Sequence, residues 1–361
     1  AEAMVASGKR DLGYQYVNID DFWHAEDRAA DGTPLANPET FPEGIGALAD
    51  SVHALGLRLG IYSDAGHMTC GGCFGGHGHE DIDARTYAQR GVDLLKYDYC
   101  FTPPWRKVAV ERYGRMGRAL RSSGRSIVFS VCEWGFRRPW TWAPGVDASY
   151  WRTAPDIFDT FWWGPGGVRG IAWWNQRLAD RAGPGGWNDP DMLLVGNRGR
   201  GRSTGIVPAP GHGRDRRALY RFRGLDDEQA LSHMTLWAMM AAPLLASHDL
   251  SSGGGYDTAL LTNPDVLEVN QDPLGIQARR IRGPRGVWVL VKPLVDGGLA
   301  VSFTNVGRSA RNVSVGLSDL GGPRRGVAVE ACSGEQLGST QTQRARLDRH
   351  RSVLFVVRKN R

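Results

Sequence analysis

Apolar residues along the first three-quarters of the chain come in short strand-like bursts, each followed by a stretch with helical spacing. YQYVNIDDFW (14–23) is the first burst and ends in acids, and EGIGALADSVHALG (43–56) has the pattern of an amphipathic helix stopped at Gly56. RLGIYSDAG (58–66) predicts the next strand, DARTYAQRGV (83–92) the next helix, and DLLKYDYC (93–100) a further strand. A helix around 108–124, the strand SIVFSVCEWG (126–135) and the strand-like ASYWRTAPDIFD (148–159) follow. The series closes with a helix around 167–182, GGWNDPDMLLV (185–195), a helix near 227–241 and PLLASHDL (243–250).

Strands alternating with helices imply a parallel sheet with crossover helices, either an open doubly wound sheet or a closed barrel. No G-x-G-x-x-G follows the first strand, which weighs against a dinucleotide fold. Nearly every strand ends in a polar or acidic residue: Asp20 and Asp21, Asp64, Asp98, Glu133, Asp156, Asp191, Asp249. Groups on many strand ends converge only when the strands close into a ring, so the expectation is a (β/α)8 TIM barrel. Seven such strands are present and the chain enters at a helix-like segment, so the barrel is expected to lack its first strand. Beyond residue 277 the texture changes to short β-rich runs (VWVLVKPL, GLAVSFTNVG, ARNVSVGL, GVAVEACS, SVLFVVR) between Gly, Pro and Arg turns. The fold class is therefore α/β, with a barrel over 1–277 and an antiparallel β-sandwich domain over 278–361.

Composition changes little in this picture. A length of 361 residues with 41% hydrophobic and 23% charged positions suits a globular protein with a sizeable core. The formal charge of +6 sits partly in the Arg-, Gly- and Pro-rich segment 198–224, which reads as a solvated loop or disordered insertion. No recognition motif accompanies that charge, so nucleic acid is not an expected partner. No apolar run is long enough to span a membrane, and no signal peptide is visible in this chain. Five cysteines suit one disulfide among thiols better than a disulfide scaffold. Asn312-Val313-Ser314 matches a glycosylation sequon too short to carry an assignment.

A barrel mouth lined with carboxylates could hold a metal, bind a polyol, or run paired-carboxylate hydrolysis. Metal catalysis calls for clustered His or Cys; the histidines here are scattered, and HGHE (77–80) is isolated among glycines. Sugar chemistry calls for acids to take hydroxyls, tryptophans to cover ring faces, and two carboxyl groups for bond cleavage. Trp23, Trp134, Trp151 and Trp187 each sit near a strand-end acid. In LLKYDYC, alternation puts Leu94, Lys96 and Asp98 on one strand face, so a lysine lies beside the aspartate and favours its ionised form.

YVNIDDFW, LGIYSDAG, GVDLLKYDYC, CEWG, WRTAPDI, GGWNDPDML, LWAMMAAPLL and NQDPLG follow one another in order. Together they resemble the family 27 glycoside hydrolases, the retaining α-galactosidases of the melibiase type, over nearly the whole chain. The resemblance implies that Asp98 is the nucleophile and Asp156 the acid/base, although Ala154 and Pro155 replace the Thr-Gly usual before the latter. Asp156 protonates the glycosidic oxygen while Asp98 attacks the anomeric carbon; water then releases the sugar with retained configuration. That reaction needs carboxyl groups about 5–5.5 Å apart, one protonated and one ionised. By the same resemblance Asp20 and Asp21 accept the C4 and C6 hydroxyls, and Tyr62, Lys96, Arg152 and Asp191 are further sugar ligands. Cys70 and Cys100 match a family disulfide bordering the site. No cofactor and no metal are implied.

Glu133 and Trp134 of CEWG fill the place where N-acetylgalactosaminidases carry small residues, so they are expected to border the C2 hydroxyl and select galactose. Asp21 keeps room for a C6 hydroxyl, which separates the chain from the related β-L-arabinopyranosidases. The implied partner is a saccharide ending in α-galactose, and the implied location is secreted or extracytoplasmic. Family members begin with a strand carrying a G-W-N-S-W-like motif whose tryptophan stacks on the sugar, and AEAMVASGKR does not resemble it. A non-catalytic carbohydrate-binding fragment is accordingly the alternative from another class.

Overall fold

Local hydrogen bonding decides how long the first strand is. In the computed structural model β1 covers only Tyr16–Asn18, because the Asp20 carboxylate takes the Asp21 N–H and the Asp21 carboxylate takes that of Phe22, both at 2.8 Å. Side chains that bond their own backbone replace the ladder and end the strand, leaving both acids past its tip. The structure describes residues 1–162, 164–199, 222–251, 255–320, 326–340 and 342–359. Of the Arg-rich segment 198–224, residues 200–221 lie outside the described residues.

The chain divides into two compact units, residues 1–153 and the described residues from 154 onward. The first unit opens with a short helix α1 (Glu2–Ala6), followed by β1, α2 (Gly44–Ala54), β2 (Arg58–Asp64), α3 (Glu80–Gln89) and β3 (Leu94–Asp98). α4 (Arg106–Ser122), β4 (Val128–Val131) and β5 (Tyr150–Arg152) complete it. The five strands lie side by side in chain order and all pair parallel, as strands with intervening crossovers should. Register aligns Tyr62 with Lys96 and Ser130 in one row, and Asp64 with Asp98 in the next. Residues between these rows point the other way: Tyr97 meets Tyr113 of α4 edge-on at 5.8 Å.

The second unit carries α5 (Val168–Asn175), β6 (Trp187–Asp189), α6 (Asp227–Met239), α7 (Tyr256–Leu261) and α8 (Pro264–Asn270). α6 starts with a capping box: Asp226 accepts the Gln229 N–H at 2.9 Å, and the Gln229 amide oxygen accepts the Asp226 N–H at 3.2 Å. The strand expected over 243–250 is reduced to one parallel bridge, Leu193 to Ala246; Pro243 offers no N–H to a ladder at its start.

From residue 279 the antiparallel expectation is met. β7 (Arg279–Ile281), β8 (Val287–Pro293), β9 (Leu299–Asn305), β10 (Arg311–Gly316), β11 (Gly326–Glu330), β12 (Gln336–Thr340), β13 (Thr342–Leu347) and β14 (Ser352–Lys359) follow in sequence. Six of them form one sheet in the order β12-β11-β14-β9-β8-β7, and β10 pairs with β13 in a second. Alternate residues of three strands (Val287, Val289, Val291; Leu299, Val301, Phe303; Val353, Phe355, Val357) fill the core together with Val313 and Leu347 of the small sheet. A period of two is what a sheet face requires. The opposite face of the large sheet is covered as well, with Ser352 bonded to Ser232 of α6 and to Thr304.

Candidate active site

At the C-terminal ends of β1 to β5 the first unit gathers polar side chains that the alternation had placed on one face. The Tyr62 hydroxyl donates to the Asp98 carboxylate at 3.1 Å, and the Tyr99 N–H donates to its other oxygen at 2.9 Å. Asp98 is buried, 5% exposed, so these bonds do much of what water would do for its charge. Burial, and then the charges of Asp98 and Asp64, keep the Tyr62 phenol far above its ordinary range, so it remains a donor.

Lys96 lies in the field of Asp98, as alternation suggested, and also bonds Asp20. Its ammonium sits 2.7 Å from Asp20 and 5.1 Å over the Tyr62 ring. Burial works against its charge, but Asp20, then Cys132 and Asp98, outweigh it and raise the ammonium well above its ordinary range. Partial desolvation pushes Asp20 upward although half of its side chain reaches solvent, yet Lys96, the Asp21 N–H and Arg152 bring it below the usual carboxylate range. Asp21 goes the other way: burial dominates, opposed by Thr69, Phe22 and Gly71, and its carboxyl is raised. Two adjacent acids thus occupy opposite electrostatic settings, which the sequence NIDD does not reveal. Arg152, buried at the tip of β5, lies 3.9 Å from the Cys132 sulfur.

Asp64 is the residue that sequence reasoning left without a role. It lies opposite Asp98 in the ladder, is fully buried, and accepts the N–H groups of Gly66 and Cys100 at 2.6 and 2.8 Å. Burial and the neighbouring Asp98 charge raise its carboxyl well above the ordinary range. Each of the two carboxyl groups opposes the ionisation of the other, and the backbone N–H groups on Asp64 offset part of that cost. The available signal was its position at the end of GIYSD. The Cys70–Cys100 disulfide is formed and ties the loop after β2 to the loop after β3, across a Cα separation of 5.1 Å. Gly66 stands in the same crowded turn, where an added Cβ would meet the Cys100 carbonyl oxygen at 2.3 Å.

Beyond β4, Glu133 has no exposed side-chain surface: it accepts the Arg137 N–H at 2.8 Å and its guanidinium at 3.0 Å. Burial lifts its carboxyl to about 7 despite the Arg137 contacts. Trp134 beside it is partly exposed and has φ of 57°. Phe22, Phe101 and Asp191 also follow strand ends with positive φ (74°, 52° and 86°), a conformation that side chains other than glycine rarely take and that clusters at functional sites. The tryptophan expectation needs correction. Trp23 and Trp151 are core residues, each 1% exposed, and the Trp23 indole N–H is spent on the Tyr62 carbonyl at 2.7 Å.

The remaining two predicted residues belong to the second unit. Asp156 is exposed on the loop at its start. Asp191 is buried and accepts the Ile157 N–H at 2.8 Å, so it fixes the backbone directly after Asp156. Its own position is held by the Asp189 carboxylate on its N–H, at 2.8 Å, and by the Trp237 indole on its carbonyl, at 2.7 Å.

A parallel strand series whose C-terminal ends carry acids, a lysine and a tyrosine for hydroxyl-rich ligands, followed by an antiparallel β domain, defines a barrel glycoside hydrolase. The chain belongs to the α-galactosidase family of these enzymes: the family model described as "Alpha galactosidase A" matches residues 1–207 and 202–272. Alpha-galactosidase from Cyamopsis tetragonoloba is 40% identical over 99% of this chain and 80% of its own length. Alpha-galactosidase A from Homo sapiens is 39% identical over 93% of this chain and 73% of its own length. The crystal structure of alpha-galactosidase I from Mortierella vinacea superposes with a TM-score of 0.89 at 31% identity, covering 99% of this chain and 91% of its own. The fold is therefore that of a (β/α)8 barrel enzyme with a C-terminal β-sandwich, and the activity is that of an α-galactosidase. Among the described residues no helix is long and apolar enough to cross a membrane.

Proposed function

We propose that this chain hydrolyses terminal α-D-galactosyl residues of oligosaccharides, polysaccharides or glycoconjugates with retention of configuration. Asp98 attacks the anomeric carbon while Asp156 donates a proton to the departing oxygen; Asp156 then deprotonates the water that frees the sugar. The observation that carries this reading is the setting of Asp98: a buried carboxylate at a strand tip that accepts the Tyr62 hydroxyl and the Tyr99 N–H and stands opposite Asp64 in the ladder. A carboxylate so held keeps its charge and points one way, as a nucleophile must.

The remaining assignments are those that the family resemblance implies. Asp20 and Asp21 accept the C4 and C6 hydroxyls, and Lys96, fixed by Asp20, donates on the same side. Tyr62 orients Asp98 and is a further sugar ligand with Arg152 and Asp191, and the partly exposed Trp134, seated beside the enclosed Glu133, closes the C2 side against an acetamido group. An aminosugar would meet the bulk of that loop, which favours galactose over N-acetylgalactosamine.

The test is hydrolysis of 4-nitrophenyl α-galactoside by wild type and Asp98→Ala, with galactose binding measured alongside. The variant is expected to lose turnover and keep sugar binding. Wild-type turnover in Asp98→Ala would refute the nucleophile, and binding without turnover in the wild type would instead support a carbohydrate-binding role.

A further inference from the structure

We propose that Asp21, His24 and Cys73 form a binding site for one borderline divalent cation of the Zn2+ class. Nothing in sequence spacing marks it, since Cys73 is far along the chain from the NIDDFWH segment; the loop after β2 brings it back. One ligand atom from each of the three residues lies within 4.8 Å of the other two. Zinc with N, O and S ligands at about 2.0–2.3 Å separates neighbouring ligand atoms by about 3.5 Å, so closure asks for movements of about an ångström.

His24 supplies the observation that points to a ligand. Its side chain is wholly buried, and among the described residues neither ring nitrogen has a hydrogen-bond partner. A buried imidazole is normally satisfied, so an unsatisfied one needs a reason. Nδ1 lies 3.9 Å from the Asp21 carboxylate, beyond hydrogen-bond range and close to the spacing of two ligands on one ion. The ring is locked in place, stacked on Trp23 at 4.2 Å and edge-on to Phe74 at 4.8 Å.

The partners are held as firmly. The Asp21 carboxylate is oriented by the N–H groups of Phe22 and Gly71, at 2.8 and 2.5 Å. Cys73 is anchored by its N–H on the Thr69 hydroxyl at 3.0 Å and its carbonyl on the Thr69 N–H at 2.9 Å. Arg28 is the cation that would oppose an ion here, but it is bonded through both terminal nitrogens to Asp83, at 2.5 and 2.8 Å. Asp21 and Cys73 are only partly buried, so solvent reaches the cluster from their side and the fourth position of a tetrahedral ion stays open to water. A thiol, an imidazole and a carboxylate together suit Zn2+ or Co2+ over Mg2+ or Ca2+. Binding releases the thiol proton as the Cys73–metal bond forms.

Metal and sugar should exclude one another, because both require the Asp21 carboxylate; this consequence rests on the sugar role proposed above, whereas binding itself does not. The experiment therefore reads the metal directly. Chelator-treated full-length protein is titrated with Co2+ and followed by absorption. One equivalent should produce a thiolate-to-cobalt band in the near ultraviolet with tetrahedral visible bands, bleached by Zn2+. Cys73→Ser should lose the charge-transfer band and bind Zn2+ weakly in calorimetry while retaining turnover, and His24→Phe should weaken binding likewise. Absence of a stoichiometric site in the wild type, or a Cys73→Ser protein with the wild-type spectrum, overturns the proposal. Because Cys73 is partly exposed, its variant keeps the test decisive even where the buried His24 variant misfolds.

Discussion

Glu133→Gln should stabilise this protein, and only above a definite pH. Glu133 is completely enclosed, and burial lifts its carboxyl from an ordinary 4.5 to about 7. The folded state therefore prefers the protonated acid, whereas the unfolded chain ionises it near 4.5. The stability that this group supplies is fully present below 4.5 and is lost as pH rises through about 7. Each pKa step is worth about 1.4 kcal/mol, so the loss amounts to about 3 kcal/mol. Glutamine reproduces the neutral acid: its carbonyl oxygen can occupy the Oε2 position that accepts the Arg137 N–H and guanidinium. The assay is thermal and denaturant unfolding of both proteins across pH, taken as a difference so that other titrating groups cancel. The two should be nearly equal in acid, diverge between 4.5 and about 7, and then run parallel, with the variant ahead by several degrees in Tm. A difference that does not vary with pH, or a wild type that gains on the variant as pH rises, refutes the reasoning.

Lys292 offers the mirror case. It is buried, donates to the Val269 carbonyl, and is lowered by burial from 10.5 to about 8, so its penalty is full below 8 and gone above 10.5. Lys292→Met should therefore gain up to about 3 kcal/mol near neutrality and nothing in strong alkali, checked by unfolding at the two extremes. Arg28→Met leaves the fully buried Asp83 without its partner and should cost about 3–5 kcal/mol in denaturant unfolding, with Asp83→Leu in the same chain recovering much of it. Tyr62→Phe removes one donor from Asp98, worth about 1.5–3 kcal/mol to the ionised form. The acid limb of kcat/KM should then move to higher pH, and a profile identical to wild type would dissociate Tyr62 from the nucleophile.

Much of this protein could be read along the chain. Alternation put Lys96 and Asp98 on one face of a strand, helical spacing located α2, α3, α4 and α6, and the period of two in β8, β9 and β14 announced the antiparallel domain. Strand-end acids pointed to the candidate site, and ordered motifs identified the family. These are properties of local backbone geometry: a side chain's direction in a strand or helix is set by its immediate neighbours. Tertiary structure alone decided partners. It gave Lys96 a hydrogen bond to Asp20, set Asp64 beside Asp98, spent Trp23 on the core, and enclosed Glu133 behind Arg137. It also brought Cys73 to His24. Charge states and contacts depend on distance and on the exclusion of water, which arise only when segments remote in the chain are packed together.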